Sequence, residues 1–269
     1  MILIGEKING AIPSIRQAIA EKNAALIVER TLAQVAAGAN FLDCAPSTAT
    51  EIEYETMCWL IDLMQGCTDV PLCIDSPNAK LLARILEEGR VRKPGMVNSV
   101  NEEGDKCETI FPLIAGTDWN VIGLTCDRDG IPAQPEKKID IAKSIIDKAV
   151  KYGVKLENLH IDPCVMALAT MPSAMQDFEK AIIGIHAYAP QVKVTGAISN
   201  VSFEMPARKY VNASCMAYAI RAGLDSAILD PCNTDMMSTV YACEALCMKD
   251  RGGRKYNRAY RQGKIGVKK

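Results

Sequence analysis

The chain has 269 residues, 49% of them hydrophobic and 23% charged, with 31 basic and 32 acidic side chains and a formal net charge of −1. That apolar fraction can bury a large core, which excludes a disordered chain, and the near-zero charge argues against a general nucleic-acid binder. The balance hides two unequal regions: residues 249–269 carry nine Lys/Arg and one acid, a net +8, which leaves −9 for residues 1–248.

The opening MILIGEKING has no basic stretch followed by a long apolar run, so no secretory signal is expected. The longest run without a charged residue, Pro163 to Gln176, is 14 residues long and contains prolines, too short for a membrane span. Eleven cysteines sit singly in apolar segments such as LCID (Cys73) and GLTC (Cys126), with no CxxC; Cys243 and Cys247 come nearest. Buried free thiols in a reducing, cytoplasmic protein are therefore expected, rather than disulfides or a metal site.

Short apolar runs alternate with longer amphipathic ones along the chain. Strands are predicted at 2–8, 41–45, 71–75, 95–100, 120–126, 158–163, 193–199 and 226–231. Helices are predicted at 24–37, 50–66, 77–89, 104–117, 173–188, 209–222 and 235–248. One more is carried by Ile141, Ile145, Ile146 and Val150, with Gly153 as its C-cap. Eight strands, each followed by a helix, require parallel pairing through crossovers, and eight such units in about 250 residues match a (β/α)₈ TIM barrel. A doubly wound open sheet is the alternative, disfavoured because no GxGxxG follows the first strand. No linker or repeat divides the chain, so one barrel domain (1–248) and a basic C-terminal extension (249–269) are expected.

In a barrel, polar residues at the C-terminal strand ends face the active site. Those ends supply Glu6 and Asn9, Asp43, Asp75, Asn98, Asp162, Ser199 and Asn200, and Asp230. Each alone also fits a helix cap. The two histidines are expected to be structural. His160 is read as facing away from Asp162 within strand six, and His186 lies in a helix. HExxH, two-His-one-carboxylate, GxSxG and Walker patterns are absent, which argues against a protein-held catalytic metal, a serine hydrolase or a P-loop enzyme. What remains is carboxylates and carboxamides. These suit a neutral heterocycle rich in N–H groups, such as a pterin or purine, because an Asp accepts from adjacent donors and an Asn supplies both roles.

The runs GEKING (5–10), CIDS (73–76), MVNSV (96–100), HIDP (160–163) and above all ISNVSF (198–203) resemble the pterin-binding methyltransferase family. It includes the methyltetrahydrofolate:corrinoid/iron–sulfur protein methyltransferases, the folate domain of cobalamin-dependent methionine synthase, and the tetrahydrofolate methyltransferases of corrinoid-dependent demethylase systems. The resemblance spans residue 2 to about 248, with the motifs in the family's order.

The resemblance implies that Asp75, Asn98 and Asp162 hydrogen-bond the pterin ring and that Asn200 approaches N5, which carries the transferred methyl group. Gly196 and Ser199 would shape the floor beneath the ring. Arg208 falls where some members have an arginine, although a surface cation fits equally. It also implies a homodimer, tetrahydrofolate or 5-methyltetrahydrofolate as substrate, and cobalamin or another corrinoid carried by a partner protein, with no metal held by this chain. Many corrinoid/iron–sulfur enzymes read Asp-Leu-Asn after strand two and Gln after SNVS. Here the chain reads LDCAPS (42–47) and Phe203, the latter as in methionine synthase. These departures incline the reading toward the demethylase branch, with transfer from methyl-corrinoid to tetrahydrofolate. A dihydropteroate synthase-like enzyme is a rival, weakened because ISN stands where that family has a Ser-Lys pair. A non-catalytic folate-binding barrel is a second. The +8 segment is either a solvated tail or a patch that docks onto the acidic body, a second subunit or the corrinoid protein.

Overall fold

The computed structural model describes residues 1–266, so Lys268 and Lys269 of the basic segment lie outside the described residues. In chain order the elements are β1 (Ile2–Gly5), α1 (Pro13–Ala20), α2 (Ala24–Ala37), β2 (Phe41–Cys44), α3 (Thr50–Cys67), β3 (Leu72–Asp75), α4 (Ala79–Glu87), β4 (Met96–Glu102) and α5 (Lys106–Ile114). There follow β5 (Asn120–Asp127), α6 (Pro135–Tyr152), β6 (Leu159–Asp162), α7 (Ala174–Tyr188), β7 (Lys193–Val194), α8 (Arg208–Ala222), β8 (Ser226–Leu229), α9 (Thr234–Leu246) and α10 (Arg254–Arg261).

From β1 to β7 each strand pairs in parallel with the next, and β1 also pairs with β8, giving the order β7-β6-β5-β4-β3-β2-β1-β8. The remaining seam is drawn together by backbone bonds from Asp225 N–H to Val194 C=O at 2.9 Å and from Ile228 N–H to Gly196 C=O at 3.1 Å. The result is the (β/α)₈ barrel. Local chemistry fixes the helix ends. Asn23, Asn78 and Asn233 cap α2, α4 and α9 by accepting from backbone N–H groups of the first turn. Gly38 and Gly153 close α2 and α6 with positive φ, where a Cβ would be strained.

Most of the core lies between the barrel wall and the helices. A smaller cluster fills the barrel itself: Ile4, Cys73, Met96 and Ile122, with Phe41, Leu124 and Ile228 against them. Below it lies a polar layer. His160 is buried on β6, with Nδ1 2.7 Å from the Ser226 hydroxyl and Nε2 3.3 Å from Asn120 Oδ1, and burial pushes its pKa down to about 3. It is a neutral structural histidine. His186 is structural too: its Nε2 lies 3.2 Å from the Gly223 carbonyl and 3.1 Å from Asp225 Oδ2, tying α7 to the loop before β8.

Two short helices lie outside the predicted set. α1 has no side-chain N-cap bond and buries only Ile15, Ala18 and Ile19. α10 falls in the basic segment, where the Asp250 carboxylate accepts from Lys255 N–H at 3.0 Å and Tyr256 N–H at 2.9 Å. Ala259 and Ile265 then bury against the body, while most other described side chains of residues 251–266 are exposed. No described helix is long and apolar enough to cross a membrane.

Gly196 is required by packing: a Cβ there would lie 2.8 Å from the ring of Phe178 on α7, which is fully buried. Phe178→Ala is expected to cost about 3–5 kcal/mol through lost burial and the cavity left behind, read as a lowered urea midpoint.

Candidate active site

Strand alternation builds the site. Side chains two residues apart share a face, so each member of the inner cluster is followed, one step toward the C-terminal end, by a second inward residue. Ile4, Phe41, Cys73, Met96 and Ile228 lead in this way to Glu6, Asp43, Asp75, Asn98 and Asp230. The same rule corrects the reading of strand six. His160 and Asp162 stand two apart and share the inner face, His160 below and Asp162 at the mouth.

Asp75 and Asn98 are register partners on β3 and β4, and Asp162 pairs with Leu124 of β5. Asn98 and Asp162 are buried and Asp75 nearly so. The surroundings push their protons up. Burial, then the charge of Glu53, raises Asp75 to about 7, and burial raises Asp162 to about 6 against backbone N–H bonds from Cys164 and Ala197. Asp43, fully buried beside Asp75 with Oδ1 lacking a hydrogen-bond partner, is also raised, by burial and then by that neighbour. Glu6 is raised by burial and then by Asp230.

Not every predicted residue is free for a ligand. Asp230 accepts from Cys232 N–H at 2.9 Å and pairs with Lys7 Nζ at 3.0 Å, so it caps and bridges. Asn9 accepts from Ala11 N–H at 2.8 Å and from the Ser47 hydroxyl at 3.2 Å, holding the β1 loop to the β2 loop. The Cβ position of Gly196 faces Phe178 of α7, so packing alone already calls for a glycine there.

Strand seven is shorter than predicted. After Lys193–Val194 the chain leaves the ladder, and Ile198–Ser202 forms a 3₁₀ turn that carries Ser199 and an exposed Asn200 over the C-terminal end. Arg208, at the start of α8, ties this turn down: Nε donates to Ser202 Oγ at 2.9 Å and a guanidinium N–H to the Ser199 carbonyl at 2.7 Å. Arg208 is exposed and at the same time bound to the turn.

Two buried charges escape the sequence reading. Glu53 lies on the apolar stripe of α3 with Met57, Leu60, Ile61 and Met64, and its Oε1 accepts from the Ser76 hydroxyl at 2.6 Å. Lys138 lies on the stripe of α6 with Ile141, Ala142, Ile145 and Ala149, and its Nζ donates to the Cys164 carbonyl at 2.7 Å. A charge on an otherwise apolar helix stripe is the signal that marks both.

The family model described as pterin binding enzyme matches residues 9–230. The chain belongs to the pterin-binding enzyme family. It is 44% identical over 268 residues to the methylcorrinoid:tetrahydrofolate methyltransferase of Eubacterium limosum, covering 99% of this chain and 98% of that one. It is also 28% identical over 244 residues to the methionine synthase of Mycobacterium tuberculosis, a match that spans 85% of this chain but 20% of that protein. Among solved structures, the dihydropteroate synthase of Thermus thermophilus superposes with a TM-score of 0.65 at 17% identity, over 91% of this chain and 94% of that one. A Xanthomonas albilineans dihydropteroate synthase gives 0.66 at 15%, over 91% of each chain. These last two share the barrel; at that identity the likeness extends to the fold alone.

The raised carboxyls make stability pH-dependent with a definite sign. Asp162 in the folded protein holds its proton up to about pH 6, whereas the unfolded chain releases it near about pH 4, so stability falls as pH rises through that window. Asp162→Asn should flatten this fall and stabilise the ligand-free protein at pH 7.5 by about 2 kcal/mol relative to its effect at pH 4.5. Urea midpoints at the two pH values check it; equal shifts would contradict a raised Asp162.

Proposed function

We propose that the protein is a methyltransferase that moves a methyl group from the cobalt of a corrinoid, carried by a separate protein, to N5 of tetrahydrofolate, giving 5-methyltetrahydrofolate. The observation that carries this reading is the full-length relationship to a methylcorrinoid:tetrahydrofolate methyltransferase, with Asp75, Asn98, Asp162 and Asn200 at the matching motifs. The residues suit a pterin. Among the described residues, the carboxyl of Asp75 makes no hydrogen bond within the protein, so acceptor capacity remains for ring N–H groups at a nearly dry mouth.

In this reading Asp75, Asn98 and Asp162 fix the ring in the mouth, and the 3₁₀ turn brings Asn200 to N5. The carboxamide of Asn200 orients the N5 lone pair toward the incoming methyl group; orientation of this kind lowers the entropic part of the barrier. The methyl-corrinoid supplies the methyl group as an electrophile. The N5 lone pair forms the new N–C bond, the electrons of the cobalt–carbon bond stay with the metal, and the N5 proton leaves to solvent. Arg208 serves by holding the turn, through Ser199 and Ser202, in the position from which Asn200 acts. The protein would work in the cytoplasm, within corrinoid-dependent demethylation, where its cysteines remain free thiols.

The same reading pairs two copies through α8 and α9. A surface groove of about 590 Å³ lies there between Tyr218, Arg221, Cys243 and Leu246, and Leu246 is 82% exposed. The exposed Leu246 beside this groove is what supports that pairing. Leu246→Asp should convert a dimer to monomer in sedimentation velocity without loss of fold.

Asn200→Ala should slow methyl transfer by about 10- to 1000-fold while leaving tetrahydrofolate affinity within about tenfold, by analogy with the loss of a transition-state hydrogen bond. The corrin absorption spectrum after mixing methyl-corrinoid with tetrahydrofolate reports the rate. Wild-type protein that binds folate but leaves that spectrum unchanged would make this a binding barrel and not an enzyme.

A further inference from the structure

Each of Asp75 and Asp162 has a buried, charged helix residue close by: Glu53 binds Ser76, the residue after Asp75, and Lys138 reaches Asp162 through Cys164. On one side, Glu53 of α3 accepts from the Ser76 hydroxyl at 2.6 Å; that hydroxyl also accepts from Asn78 N–H at 3.0 Å, and Ser76 N–H donates to the Asn98 carbonyl at 2.9 Å. Ser76 thus clamps the ends of β3 and β4 with Glu53 behind it. On the other side, Lys138 of α6 donates to the Cys164 carbonyl at 2.7 Å, and Cys164 N–H donates to Asp162 Oδ1 at 2.7 Å. The two neighbours have opposite charge: Glu53 is bound to the residue next to Asp75, whereas Lys138 stands behind Asp162 through Cys164.

Neither charge is spent on stability in an ordinary ion pair. Among the described residues, neither Glu53 nor Lys138 forms a salt bridge, although both are almost fully buried, at 6% and 1% exposure. Burying an unpaired charge is costly and calls for a compensating role. We propose that Glu53 and Lys138 are positioning residues that divide the proton between the two pterin-facing carboxyls, Glu53 keeping Asp75 protonated near neutrality and Lys138 keeping Asp162 ionised. This inference rests on the pterin reading and deepens it. A pterin ring offers N–H donors along its pyrimidine edge, which suit a carboxylate, and acceptor atoms elsewhere, which suit a carboxyl that carries a proton. A pair so divided can grip both kinds of edge at one pH, as two carboxyls in contrasting environments do in other enzymes.

The surroundings agree with the division. Asp75 is faced by Glu53 of α3, Asp43 and Cys44 of β2, and Cys73 of its own strand, with Glu6 of β1 next beyond Asp43; none of these is a cation. Asp162 is faced by Lys138 of α6, by the thiol of Cys164 with Cys126 behind it, and by the backbone N–H groups of Cys164 and Ala197, while Asp177 of α7 adjoins Lys138. Asp75 is accordingly raised to about 7 and Asp162 only to about 6.

The test uses the full-length protein without folate, selectively ¹³C-labelled at aspartate carboxyls, with Asp75→Asn and Asp162→Asn assigning the two resonances. Glu53→Gln keeps an acceptor for Ser76 but removes the charge, and should move the Asp75 titration to lower pH by about half a unit or more. Lys138→Met should move Asp162 to higher pH by a similar amount, and Lys138→Arg should restore it; the Glu53→Gln arm stands if the buried methionine fails to fold. The pH profile of tetrahydrofolate affinity should narrow correspondingly, its basic limb moving down in Glu53→Gln and its acid limb moving up in Lys138→Met. Titrations of Asp75 and Asp162 unmoved by these changes, with only melting temperatures altered, would overturn the proposal and leave both residues structural. Shifted titrations in a protein that binds no tetrahydrofolate would sustain the proton division and overturn the folate reading instead.

Discussion

A carboxyl group drawn out of water beneath a ring of parallel strands is the constraint on which the rest of the molecule turns. Such a group must lose its charge, gain donors, or stand where a ligand will supply them. Three fully or nearly buried acids, Asp43, Asp75 and Asp162, share the mouth of this barrel, and burial is the largest influence on each. Their cost is borne by the apolar cluster one layer down, where Ile4, Cys73, Met96 and Ile122 fill the barrel, and by the larger core outside it. The two layers lie on the same strands, so the alternation that fills the barrel also aims the acids.

That coupling explains what was legible in the sequence. Short apolar runs of period two and longer runs of period 3.6 locate all eight strands, and α2 spans Ala24–Ala37 as its spacing predicts. The inward set at the strand ends follows from the barrel assignment, because polar residues directly after apolar inward ones have one place to go. Asp75, Asn98 and Asp162 are readable in this way. The assignment of His160 to the opposite face from Asp162 fails against the same alternation, since residues two apart point together.

Other features were not legible for physical reasons that differ. Lys193–Val194 is a two-residue strand because the chain turns out of the ladder at Gly196 to form the 3₁₀ segment, and an apolar run such as KVTGAIS does not show where pairing stops. Asp230 and Asn9 resemble site residues in sequence, yet their oxygens are used by a turn and by Lys7 or Ser47. At Gly196 the packed ring of Phe178 gives a second reason for a glycine, one that a sequence does not display. Glu53 and Lys138 were hidden because acids and bases on amphipathic helices ordinarily face water; only their position on the stripe, four residues before Met57 and before Ala142, marks them as inward.

The uneven charge of the chain takes on a spatial meaning in the fold. The basic segment lies at the N-terminal end of the barrel: Lys255, Arg258 and Lys264 rim a cavity with Met1, Leu3 and Asn40, residues at the start of β1 and just before β2. The mouth that carries Asp75 and Asn200 is at the other end of the strands. The cations of α10 are thus set apart from that mouth by the length of the barrel. Their local task is visible: Asp250 caps the turn into α10, Ala259 and Ile265 bury, and the N-terminal ammonium of Met1 meets Glu244 beside them. The segment therefore packs beside α9 and the start of β1, at the end of the barrel opposite the acids.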